Sequence, residues 1–101
     1  MKSSFVGLMF LESYTLFYED HIYLNNYGRE GVSITYEELA NYIKSGRYEH
    51  DKVYGIVTLK LENDYEYDMF VFGAHKDKKK ELEIRKQIKE FVNRKCGMKV
   101  L

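Results

Sequence analysis

The stretch VYGIVTLKLENDYEYDMFVFG, residues 53–73, constrains the fold more than any other. Apolar and polar residues alternate on both sides of a polar centre, a period of two that suits half-buried strands and opposes a helix. It reads as an antiparallel hairpin. Pairing Lys60 with Asp68, Leu61 with Tyr67, Leu59 with Met69 and Val57 with Val71 makes one face uniformly apolar. A slip by one residue would set Leu59 against Asp68, so the first register is expected, with a loop of about Glu62 to Glu66.

The same hairpin concentrates charge. In LENDYEYD, residues 61–68, Glu62, Asp64, Glu66 and Asp68 alternate around two tyrosines. With Asp68 paired to Lys60, the other three crowd the tip, where mutual repulsion calls for water, a cation or a basic partner.

The sharpest helix signal is ITYEELANYIKSG, residues 34–46. Thr35 and Glu38 have the spacing of a capping box, Ile34 and Leu39 that of a hydrophobic staple, and the helix is expected to start at Tyr36. Tyr36, Leu39, Ala40 and Ile43 share one face, and Gly46 stands where a left-handed residue would end it. Upstream, SFVGLMFL suits a strand buried on both faces. YTLFY and HIYLNNY flank a turn at Glu19 and Asp20, and YGREG leads into a short strand, VSI.

Downstream, DKKKELEIRKQIKEFVNRKCG, residues 77–97, is helical by Ile84, Ile88, Phe91 and Val92, with Asp77 as its cap and Gly97 as its stop. Leu82 falls on the opposite side among Lys79, Lys86 and Asn93, an exposed leucine of the ordinary kind. The closing MKVL suits a short edge strand. The expected fold is a single α+β domain over residues 1–101, in the order β-β-β-(β)-α-β-β-α. One antiparallel sheet of about five to six strands would carry both helices on one face.

A chain of 101 residues has room for one core and buries roughly 60 to 70% of its unfolded surface. Proline is absent and tyrosine occurs ten times, which favours strands with a wet face. The single cysteine, Cys96, cannot form an internal disulfide. The opening MKSSFVGLMFLESY has an apolar run from Phe5 only to Leu11, followed at once by Glu12, and no small-x-small cleavage site. No stretch approaches the roughly 20 apolar residues of a membrane span. A reduced, cytoplasmic protein without membrane contact is the expectation.

Equal totals of 16 acidic and 16 basic residues conceal a division. Residues 12–68 are net −7 and residues 69–101 are net +6. Either the basic helix lies against the acidic body within one molecule, or the two form interaction surfaces, including a pairing across a homodimer.

Catalytic chemistry finds little support. His21, His50 and His75 each have acids beside them in EDH, EHD and HKD, and their convergence could build a zinc or manganese site. None has the i, i+4 spacing of a helical metal pair, and all fall in expected turns, so no metal and no other cofactor is expected. Cys96 sits near a helix C-terminus, where the dipole opposes a thiolate, and no serine lies in a nucleophile elbow. The carboxylates of residues 62–68 would share one wet environment, whereas general acid–base work needs different environments inside a cleft. The glycines form neither a Walker loop nor a dinucleotide fingerprint, and GREG has the spacing of a KH-type clamp but lies between strands. An enzyme is not expected.

Two surfaces remain. Glu49, Asp51, Glu62, Asp64, Tyr65, Glu66 and Tyr67 combine carboxylates with tyrosine, a composition that suits binding to a basic protein partner. Lys78, Lys79, Lys80, Lys86 and Arg94 on the last helix could instead neutralise phosphates of DNA or RNA, without a base-reading motif beside them. Small size, absence of proline and abundance of tyrosine, lysine and asparagine fit an accessory protein of a bacterium or phage. The leading expectation is a non-enzymatic inhibitor from a phage or mobile element. It would engage the basic surface of a nucleic-acid-handling host enzyme through the acidic residues; nucleic-acid binding by the helix is the alternative.

Overall fold

The computed structural model describes residues 5–9, 13–73 and 76–101, the first of these segments by its backbone. Among the described residues seven strands and two helices follow one another: β1 (Phe5–Met9), β2 (Ser13–Phe17), β3 (His21–Asn25), β4 (Val32–Thr35), α1 (Tyr36–Lys44), β5 (Tyr48–Asp51), β6 (Ile56–Lys60), β7 (Glu66–Phe70) and α2 (Lys78–Cys96). The result is a small α+β domain. Among the described residues, no helix is long and apolar enough to cross a membrane.

The strands form two antiparallel sheets, β1-β2-β3-β4 and β5-β6-β7, rather than the one sheet expected. The division has a local cause at β7. One edge of β7 pairs with β6, while its other edge is closed by side chains of the first sheet instead of by a further strand. The Asp68 amide donates to Asn26 Oδ1 at 2.7 Å, Asn26 Nδ2 donates to the Asp68 carbonyl at 3.0 Å, and the Phe70 amide donates to Thr15 Oγ1 at 3.0 Å. A backbone edge that would otherwise invite pairing is thereby satisfied, and β7 crosses β1, β2 and β3 without joining them.

A strand was not expected at Tyr48–Asp51, and β5 adds it by pairing with β6, Glu49 opposite Thr58 and His50 opposite Val57. The β6–β7 register also differs from expectation by two residues. Lys60 stands opposite Glu66, Leu59 opposite Tyr67, Thr58 opposite Asp68 and Val57 opposite Met69. Both registers bury the same alternating set, so the apolar pattern could not separate them; the turn did. Asp64 takes a left-handed conformation, φ 64, its amide donates to the Leu61 carbonyl, and the Leu61 amide donates to the Tyr65 carbonyl. This is a tight turn followed by a left-handed residue, a geometry that Asp tolerates.

Both helices end and begin as their sequences indicate. The Thr35–Glu38 capping box is complete, with the Glu38 amide on Thr35 Oγ1 and the Thr35 amide on Glu38 Oε1. At the other end the Gly46 amide reaches the Ile43 carbonyl and the Arg47 amide the Tyr42 carbonyl, a Schellman closure that needs the positive φ of Gly46. Gly97 closes α2 in the same way, and Asp77 caps its start through the Lys79 amide.

One core joins all these layers. Phe17, Ile22, Leu24 and Ile34 from the first sheet meet Val57, Leu59 and Met69 from the second, with Leu39 of α1 and Ile88, Phe91 and Val92 of α2. Tyr36 ties three elements together, its ring edge-on to Phe91 and its hydroxyl donating to the Tyr18 carbonyl at 2.6 Å. The expected strand at Met98–Leu101 does not form. Asn93 Oδ1 accepts from the amides of Val100 and Leu101, folding the chain end back over α2 with Val100 buried.

Candidate functional site

In β5–β7 the side chains of His50, Val57, Met69, Leu59 and Tyr67 point to the core side, so the residues between them point outward. Glu49, Thr58 and Asp68 form one cross-strand row on that outer face, and Lys60 with Glu66 forms the next. Three adjoining hollows run over this surface. Glu49 and Glu66 line one with Arg47 and Lys60, Glu49 and Asp68 line another with Asp51 and Thr58, and Glu66 and Asp68 line a third with Asn26, Tyr27 and Arg29. Glu49, Glu66 and Asp68 therefore sit along one continuous, open strip.

The cations beside this strip are partly engaged elsewhere. Arg47 is turned to the backbone, donating to the carbonyls of Lys60 at 3.0 Å and Leu61 at 2.6 Å. Asp68 is not paired with Lys60, as expected from the sequence, but accepts from the Thr58 hydroxyl at 2.7 Å. Asp68, Thr58 and Tyr27 were missed as candidates. The first two were hidden by the assumed register, and Tyr27 is brought near by the Asn26 contact with β7, which nothing in the local pattern announces.

Each of the other expected acidic-surface residues has a definite place. Glu62 and Asp64 are exposed at the hairpin tip, beyond the strip. Asp51 is exposed, but its carboxylate accepts from the amides of Val53 and Tyr54, holding the β5–β6 turn. Tyr65 is exposed, with the Arg29 guanidinium 4.8 Å from its ring centre. Tyr67 is turned inward and buried, its hydroxyl donating to the Glu30 carbonyl at 2.7 Å, so it is not available to a partner.

On α2, Lys78, Lys79, Lys80, Lys86 and Arg94 are all exposed. Arg85 is instead a clip, donating to the Val53 carbonyl and to Glu81 and packing over Gly55. Between the acidic body and the basic tail, the ion pair among the described residues is Glu19–Lys95, at 2.6 Å. The two charge sets thus remain largely separate on the surface. Among the described residues no ion pair joins these lysines to Glu49, Glu66 or Asp68.

The histidines do not share a cavity as far as they are described. His21 stacks on Tyr18 with ring centres 4.5 Å apart, over the outer face of the first sheet. Its Nδ1 lies 2.6 Å from Asp20, a hydrogen bond that holds the Asp20 carboxyl below the usual range. His50 lies in β5 with Nε2 buried and unpartnered; burial first, then Lys89 and Lys52, disfavour its protonated form. His75 lies outside the described residues. Among the described residues no group of three or more His, Cys, Asp or Glu could hold a metal ion. Cys96 donates to the Tyr36 carbonyl, and burial pushes its thiol up to about 11, far from nucleophilic readiness at neutral pH.

Compared with family models, curated proteins and solved structures, the chain matches none.

Proposed function

We propose that the chain is a non-enzymatic binding protein whose open strip on the β5–β7 face engages a Lys/Arg-bearing protein surface. One observation carries this reading: Glu49, Glu66 and Asp68 line a continuous open strip, which the exposed Tyr27 also lines. Carboxylates spread over a sheet face steer a cationic partner and set its register, and exposed tyrosines add contact area at low entropic cost. A partner of the matching class is an enzyme whose basic groove ordinarily holds nucleic acid; occupying that groove would make the chain an inhibitor.

The direct test is titration of a labelled Lys/Arg-rich peptide, followed by anisotropy at two salt concentrations. Binding should weaken with salt and vanish in a Glu49→Lys, Glu66→Lys variant that still unfolds cooperatively. Undiminished binding by that variant rejects the reading. A second reading is favoured by the exposure of Lys78, Lys79, Lys80 and Lys86 along α2: phosphate contacts to DNA or RNA. For it, changing Lys79, Lys80 and Lys86 to Glu should abolish nucleic-acid affinity and flatten its salt slope by about one per lysine.

A further inference from the structure

The exposed leucine of α2 and the carboxylate strip point to the same occupant. On the solvent side of α2, Lys79, Leu82 and Lys86 follow one another at helical spacing, and Leu82 is 59% exposed. Lys79 and Lys86 are two turns apart, about 10 Å along the helix axis. On the second sheet, Glu49 and Asp68 are separated by β6 alone, also about 10 Å. Thr58 lies between them in the row, and the half-buried Ile56 lies two residues along the same strand face. A helix laid across the strands would set each lysine over a carboxylate and Leu82 over the Thr58–Ile56 segment.

We propose that the β5–β7 face docks the α2 helix of a second copy of this chain. The two complementary surfaces are different patches of the chain, and no ion pair joins them within one molecule among the described residues. The association is therefore head-to-tail, the kind of contact that adds copies in a row. It rests on the reading of this face as a site for cations, and makes the chain its own competitor for that site.

Sedimentation velocity on the intact chain tests it. At low salt the weight-average mass should at least double as concentration rises, and it should return to monomer at high salt. A Glu49→Gln, Asp68→Asn variant and a Lys79→Gln, Lys86→Gln variant should each stay monomeric alone. Mixed in equal amounts at low salt, they should form a one-to-one dimer and nothing larger, because each retains the surface the other lacks. Monomer at every concentration, or self-association surviving in either variant, overturns the proposal. If the wild type stays monomeric yet binds the Lys/Arg-rich peptide through Glu49 and Glu66, self-docking fails while the cation site stands; loss of both removes both.

Discussion

The two sheets bury one face each in the same core and present opposite chemistry on the other. Outside β2 and β3 lie Tyr14, Leu16, Tyr18, His21 and Tyr23, an aromatic surface with little charge. Outside β5–β7 lie Glu49, Glu66, Asp68 and Lys60. Period-two alternation produces both, since it dictates which residues face inward and leaves the outward set to be chosen for another purpose. The difference teaches that stability and charge display are written on alternate residues of the same strands.

Breaking the shared core should have the largest effect. Leu24→Ala in the first sheet and Met69→Ala in the second each remove a fully buried side chain and should cost about 2–5 kcal/mol by urea unfolding, with a single transition. Leu16→Ala, on the outer face of the same sheet as Leu24, should cost clearly less. A small loss at Met69 beside a large one at Leu24 would show that the sheets do not share one core.

Next comes the joint between them. Asn26→Ala takes away both hydrogen bonds to the Asp68 backbone and should cost about 1–3 kcal/mol. Its amide exchange signature is specific: the Asp68 N–H should lose protection more than the Thr58 N–H on the neighbouring strand.

A smaller effect should follow pH. His50 resists protonation in the folded state, so the unfolded chain binds the proton more readily; stability is full above the ordinary imidazole range, about 6.5, and falls as pH drops through it. Asp51 works against this trend while Lys89 and Lys52 reinforce it. His50→Gln should flatten the midpoint's dependence on pH between 7 and 5, measured by thermal unfolding with the wild type alongside.

The smallest change in stability should come from the acidic face. Glu49→Lys with Glu66→Lys should alter unfolding free energy by less than about 1 kcal/mol, mostly from setting a lysine opposite Lys60, while removing peptide binding. A large loss of stability would mean that the outer face is part of the scaffold, and the contrast between the sheets would collapse.

Local chemistry made much of the fold legible. The Thr35–Glu38 box, the left-handed Gly46 and Gly97, the Asp77 cap and the core face of α2 each depend on residues within a few positions of one another. So does the β2–β3 hairpin about Glu19 and Asp20. The β6–β7 register was not legible, because a shift of two preserves every inward residue, and only the turn around Asp64 distinguishes the alternatives. That shift moved Asp68 from a partner of Lys60 to the end of the Glu49–Thr58–Asp68 row, and the burial of Tyr67 removed that tyrosine from the surface.

By itself the sequence determined the helices, the caps, most strands and the separation of charge along the chain, since these follow from periodicity and short-range hydrogen bonding. Tertiary structure alone decided that the strands divide into two sheets, because Asn26 and Thr15 reach β7 from more than 40 residues away and close its edge. It also decided that no ion pair joins the acidic strip to the exposed lysines of α2 among the described residues. Which outward faces end up opposed depends on how the elements pack around the core, and alternation along a single strand carries no information about that.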